Sequence, residues 1–446
     1  MGRRGLKGLN LLFAFLLTLS VVPVELKLKS KIAVQLCEEC VSVIVTGNAT
    51  EDGRAILMKN RDTGDVMNSP VYNPSAGDGT YAYVMVDNYW MGINERGLAI
   101  MNTGVSLLMF GGIGLDNGAL NAWIVGHCET VEEVCFELNN SDGPIGTWKR
   151  FGGTCVGVID RFGTGAFIEI SGEAAYARYV VDGYDSQANH PRHYPGYAFG
   201  PAGRDQYALD ILDEIYAKRG FISVEDVVQN VSRYVNHKEQ GDSSFSISQE
   251  MCNEGTQAAM VAVSGDPRYD GKLNCMWGEY GNPPMVGLYV PSIAYAGEPP
   301  SILDDFYNEV WQKRSYAHAS NTSHYDPARV REIQSYTFFA EDYTFYSYDG
   351  VLRNISEGLS DDKLKADLQE YVADSVHVAT NIYVEETVYD INFDGRTNIS
   401  DITYATQSFG SEVGESSWKF LADVNSDKKV DMRDIASFAR RFGETY

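Results

Sequence analysis

The chain has 446 residues, enough for two or three domains with an ample core. Its formal net charge of −25 argues against nucleic acid or an anionic membrane surface as a partner. With 12% aromatic residues, 28 of them Tyr, the composition excludes a disordered chain and fits a β-rich folded body.

Residues 1–24 read as a secretory signal or an anchor. Arg3, Arg4 and Lys7 precede an apolar run from Leu11 to Val24 that is short for a spanning helix. No small-x-small cleavage site follows, and no other segment is apolar enough to cross a bilayer. Seven cysteines, an odd number, leave at least one unpaired: Cys37, Cys40, Cys128, Cys135, Cys155, Cys252 and Cys275. Cys128 and Cys135 fall on one predicted helix opened by a Thr130–Glu133 capping box, which points to buried packing. Cys37-x-x-Cys40 has no second Cys or His pair at ligand spacing, which argues against zinc.

From Cys40 the pattern is strand, turn, strand. Val41 to Thr46 is rich in β-branched residues, Glu51-Asp52-Gly53 supplies a turn, and Ala55 onward forms a second apolar strand ending in charge. The hairpin returns Asn60, Arg61 and Asp62 close to Cys40. On the residues alone, a buried structural hairpin with a Cys at its edge is an equal reading. A second hairpin, Trp90 to Asn102, turns at Asn94–Gly97 and delivers Asn102 to a strand end. The strand Arg178–Asp182 leads to Asn189-His190. Helices are expected at 204–219 and 223–235, and strands at Gln257–Val263, Lys272–Trp277 and Val286–Val290. Helical segments around 301–314 and 361–376 follow, then a β-like stretch from Thr380 to Val388.

The last sixty residues hold two twelve-residue loops with matching oxygen ligands at positions 1, 3, 5, 9 and 12. The first is Asp390, Asn392, Asp394, Asn398 and Asp401; the second is Asp423, Asn425, Asp427, Asp431 and Asp434. Ca²⁺ takes six to eight oxygens, and this spacing wraps one segment around one ion. Two structural Ca²⁺ ions are expected. Gly395 fits the sharp turn at position 6; Lys428 does not, so the second loop should be strained or weaker. Each loop leads into a predicted helix ended by a glycine, Gly410 or Gly443.

This repeat resembles a type I dockerin, over about residues 386–446. The resemblance implies a cohesin-bearing scaffold or cell-surface partner, read at loop positions 10 and 11, here Ile399-Ser400 and Met432-Arg433. It also implies a secreted or cell-surface-attached protein. The stretch from Cys40 to Gly53, with Asn60-Arg61-Asp62, resembles the mature N-terminus of N-terminal-nucleophile (Ntn) cysteine hydrolases. The similarity is to the acyl-coenzyme A:6-aminopenicillanic acid acyltransferase group, kin to penicillin V acylases and bile-salt hydrolases. That resemblance implies an α+β chain: an αββα sandwich over 40–384, with residues 25–39 removed as a propeptide, plus the small all-α dockerin. It implies Cys40 as nucleophile, with its own freed α-amino group, of pKa roughly 7.7–8, as base. Asp62 would orient that nucleophile with Arg61 beside it, Asn102 and Asn189 would hold the oxyanion, and Arg204 would match a family arginine. No catalytic cofactor is implied, and the substrate would be a small-molecule or peptide amide, cleaved or transferred to an amine. A dipeptidase family opens in the same way. A non-catalytic binding body carried by the dockerin is the reading from another class. A papain-like protease is disfavoured, because no Cys-Gly-x-Cys-Trp signature occurs.

Overall fold

The computed structural model describes residues 40–62, 68–77, 79–234, 251–252, 255–281, 285–304, 306–318, 325–355 and 359–446. The signal and propeptide segments and Cys37 lie outside the described residues. Two antiparallel sheets form the body. Strands β1 (Val41–Val45), β2 (Ile56–Asp62), β10 (Tyr184–Gln187), β11 (Thr256–Val263), β12 (Cys275–Glu279) and β13 (Val290–Ser292) make a six-stranded sheet in the order β10-β1-β2-β11-β12-β13. Strands β3 (Pro70–Asn73), β4 (Tyr83–Val86), β5 (Met91–Asn94), β6 (Ala99–Gly104), β7 (Thr154–Ile159), β8 (Gly165–Ile170) and β9 (Ala175–Val180) make a seven-stranded sheet in sequential order.

The sheets stack face to face where β1 and β2 cross β6, β7 and β8. Small residues permit the close approach: a Cβ on Gly157 would lie 3.1 Å from Leu57 Cδ1, and one on Gly165 would lie 2.7 Å from Ile44 Cγ2. Helices cover both outer faces. Helices α1 (Asn117–His127) and α2 (Val131–Asn139) seat Leu120, Ile124, Val134 and Leu138 on Ile100, Val156 and Ile168 of the seven-stranded sheet. On the six-stranded sheet lie α3 (Arg204–Arg219), a π-helical turn (Asp226–Val231), α5 (Pro327–Asn354) and α6 (Asp361–Glu385), with α4 (Phe306–Ala317) packed on α5. This is the expected αββα layering. Because both faces of the first sheet are covered, β1 is buried at all five positions and reads as an unbroken apolar run.

Several local expectations change. The Thr130–Glu133 capping box is present, but it opens α2 only at Val131, and Cys128 caps the end of α1 instead of sharing α2 with Cys135. The strands expected at 272–277 and 286–290 run at 275–279 and 290–292. The stretch from Thr380 is not β-like up to Glu385: α6 runs through it, and Tyr383, fully buried, donates its hydroxyl to the Val286 carbonyl at 2.6 Å. Packing against α5 overrides the β-propensity of these residues. The 28-residue α5 was not expected. Its Thr- and aromatic-rich sequence has strand-like composition, yet Val330, Ile333, Thr337, Ala340, Thr344 and Tyr348 fall on one buried helical stripe. Among the described residues, no helix is long and apolar enough to cross a membrane, and the six cysteines there are all free.

The C-terminal unit has its own small core of Ile391, Ala405, Trp418, Ala422, Val430 and Phe438. Helices α7 (Ile399–Thr406) and α8 (Met432–Arg441) each open with a capping box made by the ligand side chains at positions 9 and 12 of the loop before. Gly443 follows α8 in the left-handed region at φ 90°. Helix α7 stops at Thr406, ahead of the expected Gly410, and the chain turns over 407–410.

Candidate active site and calcium loops

Strand alternation decides which side chains meet. On β1, Ser42 bonds Met101 and Thr103 of the seven-stranded sheet, so Ser42 and, by parity, Cys40 look between the sheets. On β2, Leu57, Lys59 and Arg61 share that inter-sheet face; Met58, Asn60 and Asp62 face the helices. Val41 pairs with Asn60, which brings the end of β2 beside Cys40 as the hairpin requires.

Cys40 is buried, with Sγ 3.9 Å from the Asp62 carbonyl oxygen. Lys59, absent from the expected site residues, is the nearest cation. The residue is 2% exposed, and its ammonium donates to the Asn102 carbonyl, lies 3.4 Å from Asn102 Oδ1, and sits 5.4 Å from the Trp90 ring centre. Burial lowers the Lys59 pKa, against the attraction of the neighbouring Cys40 sulfur. Burial also lowers that of Arg61, again opposed by Cys40. Arg61 also packs on Trp90, 5.3 Å from its ring centre, and donates to Asn68 Oδ1 at 2.9 Å. Trp90 Nε1 donates to the same oxygen at 3.2 Å. Two cations, Lys59 and Arg61, thus stand beside the Cys40 thiol.

On the opposite face, Asp62 is bound by a buried guanidinium–carboxylate pair with Arg204, at the first position of α3, and accepts from Thr256 Oγ1 at 2.6 Å. Arg204 also donates to the Met251 carbonyl at 2.6 Å. Asn60 ties β2 to the Ser232 and Met251 carbonyls at 2.7 and 2.6 Å. Asp62, Asn60 and Arg204 therefore brace the strand end carrying the site, and the Cys40 thiol lies against the backbone carbonyl of Asp62.

Asn189 stands two residues beyond Gln187, whose partner in the β1–β10 ladder is Ser42; carried on, that register sets Asn189 opposite Cys40. Its Nδ2 donates to the Gly104 carbonyl at 2.9 Å, two residues past Asn102, and its Oδ1 is buried without a partner among the described residues. One N–H of the amide remains for a ligand. His190 Nε2 lies 3.1 Å from Asp205 Oδ2 and 3.2 Å from the Gly200 carbonyl oxygen, in the segment that connects Asn189 to Arg204. All six expected catalytic residues thus gather at one end of the β1–β2 hairpin. Lys59 and Trp90 complete the group, and only the parity of a charged residue inside an apolar strand pointed to Lys59.

The expected ligand loop one closes around Asp390, whose carboxylate accepts from the backbone N–H groups of Asp394, Gly395 and Arg396 at 3.2, 2.7 and 2.9 Å. Asp401 accepts from Ile391 and Asn398, closing the turn. Gly395 takes φ 79° at position 6. In loop two Asp423 plays the same part toward Asp427 and Lys428, but Lys428 is forced to φ 70°, a left-handed conformation unfavourable for a residue with a Cβ. Arg433 pairs with both Asp427 and Asp431 there. Among the described residues no three His, Cys, Asp or Glu side chains form a metal-binding group. Asn and backbone oxygens would therefore have to complete each set, as the donor pattern of a Ca²⁺ loop allows.

A search of the curated proteins returned no match. Among solved structures the chain is similar to a mutant conjugated bile acid hydrolase from Clostridium perfringens, at 14% identity and TM-score 0.35, over 54% of this chain and 89% of that one. A second variant of that hydrolase gives 14% and 0.37 over the same shares. Penicillin V acylase from Agrobacterium tumefaciens gives 17% and 0.35, over 57% of this chain and 86% of that one. The C-terminal unit, matched over residues 388–443, is a dockerin type I domain.

Proposed function

We propose that the chain is a secreted or surface-attached cysteine amidohydrolase of the Ntn kind, spanning 40–384, docked to a cohesin partner through its dockerin. The observation that carries this reading is the buried Cys40 thiol at the head of β1, beside Lys59 and Arg61 and across from Asn102 and Asn189. Removal of residues 1–39 frees the Cys40 α-amino group. That amine takes the thiol proton, and the sulfur attacks the amide carbonyl. A C–S bond forms, the C–N bond breaks, and the proton passes to the leaving amine. Water, or a second amine in acyl transfer, then releases the acyl group from the thioester. An amide N–H of Asn102 or Asn189 aimed at the developing oxyanion supplies roughly 3–4 kcal/mol in comparable sites. Asp62, fixed by Arg204 and Thr256, holds the hairpin end in register.

Ca²⁺ would be held by Asp390, Asn392, Asp394, Asn398 and Asp401, and a second ion by Asp423, Asn425, Asp427, Asp431 and Asp434. When bound it neutralises the crowded carboxylates and fixes the loops. Cohesin capture that disappears with chelator and returns with Ca²⁺ is the expected behaviour.

The test is a panel of N-acyl amides and dipeptides assayed with the mature chain and its Cys40→Ala variant. Hydrolysis lost in the variant, with an acyl adduct on Cys40 seen by mass spectrometry, is expected. A variant with full activity would overturn the assignment, and turnover confined to dipeptides would move it to the dipeptidase family that shares the opening hairpin.

A further inference from the structure

The dockerin does not hang on a linker. Helix α6 ends at Glu385, Glu386 turns through φ 57°, and calcium loop one begins four residues later at Asp390. Lys313 of α4 fastens that turn, its Nζ 2.6 Å from Glu386 Oε1. Each loop then sends aromatic groups onto the body. Phe393, inside loop one between the ligands Asn392 and Asp394, packs against the main core and meets His377 of α6 edge-on at 5.9 Å. Phe420, just ahead of loop two, lies 5.1 Å from Phe339, 5.6 Å from Tyr343 and 5.6 Å from Tyr346 of α5, and Trp418 meets Tyr346 at 5.0 Å. Phe420 and Leu421 pack against the body's core and the dockerin's own core together.

We propose that this aromatic seat on the α5–α6 pair is an intramolecular docking surface for the Ca²⁺-loaded dockerin, so that calcium stabilises the catalytic body as well as the dockerin. The proposal rests on the dockerin reading. Its physical basis is that Phe393 (φ 53°) is flanked by ligand residues, so an ion in loop one fixes the direction in which that ring points. Without the ion, Asp390, Asp394 and Asp401 repel one another and the loop loosens, taking Phe393 off α6. The seat connects onward to the sheet. On α5, Glu341 pairs with the buried Arg233 at 2.6 Å, and Tyr348 accepts from Arg54, just before β2, at 2.7 Å. An ion that binds only the seated form must raise the stability of everything folded with it. The same contact fixes the orientation of a bound cohesin relative to the catalytic hairpin.

The experiment uses the full chain in CaCl₂ and in chelator. Ca²⁺ binding is followed by titration calorimetry, backbone hydrogen exchange in α5 and α6 by mass spectrometry, and unfolding of the body by scanning calorimetry. Calcium should slow exchange in both helices and raise the body's midpoint by roughly 3 °C or more. The double substitution Tyr343→Ser/Tyr346→Ser alters half-buried positions of α5 and leaves the dockerin sequence intact. It should retain Ca²⁺ binding and lose both effects; Phe420→Ser, from the other side, should do the same. Calcium that binds the wild-type chain while exchange and midpoint stay unchanged would overturn the docking surface and leave the dockerin reading standing. No calcium binding at all would overturn both.

Discussion

At the scale of single residues the site turns on Lys59. A Lys in the interior of an apolar strand is costly to bury, and it persists here because Asn102, the Cys40 sulfur and the Trp90 ring all face its ammonium. We expect Lys59→Met to lower kcat/KM on the order of 10²-fold, the cost of removing one preorganised charge donor beside a reacting centre. Because burial lowers the Lys59 pKa, its ammonium is lost as pH rises through that lowered value, so wild-type activity should fall on the alkaline side. Lys59→Arg keeps its charge there and should flatten that limb in a pH–rate profile. An alkaline limb identical in both would remove the ammonium from the mechanism. Cys40, Asp62, Asn102 and Asn189 came from the family resemblance of their motifs, since on the residues alone a structural hairpin read equally well; Asn102, expected at a strand end, lies inside β6, paired with Val156. Lys59 was not legible: its meaning depends on which face of β2 it occupies, and that follows only from the pairing of two sheets.

At the scale of elements, the strands near the site were legible and the helical cover was less so. Hairpins announce themselves by Glu-Asp-Gly or Asn-x-x-Gly turns between β-branched runs, so 41–62 and 91–104 fell where expected. Helix α5 did not, since Tyr, Phe and Thr crowd a helix whose stability comes from burial and not from propensity. The same helix holds a testable strain. Asp342 receives Gln229 Nε2 of the π-helical turn at 2.7 Å, yet burial, reinforced by Glu225 and Glu341, raises its pKa to about 7. A carboxyl raised above its unfolded value of about 3.9 contributes stability that is present below that value and is lost as pH rises toward 7. Asp342→Asn keeps the oxygen that accepts from Gln229 and removes the charge. It should raise the melting midpoint at pH 8 by at least about 2 °C and leave it nearly unchanged at pH 4. A variant no more stable at pH 8 than the wild type would show that water reaches this carboxylate.

At the scale of the whole molecule, the proposed chemistry depends on where the working chain starts. Cys40 holds φ 44°, a left-handed backbone that costs a residue with a Cβ roughly 1–2 kcal/mol. Part of that cost disappears when the bond to Glu39 is cut, because φ then no longer carries a peptide on its nitrogen side. Residues 1–39 contain six Lys or Arg against three Glu, so their loss takes the formal net charge from −25 to −28. A chain cut before Cys40 would therefore be more acidic than the uncut one. Intact-mass analysis of the purified mature protein should find a chain beginning at Cys40. The same measurement on Cys40→Ala assigns the cut. A variant that keeps residues 25–39 makes Cys40 its own processing nucleophile, and one trimmed at the same bond assigns the cleavage to a separate protease. A wild-type chain that stays stable with residues 25–39 attached, and still hydrolyses amides, would show that the free α-amino group is not the base.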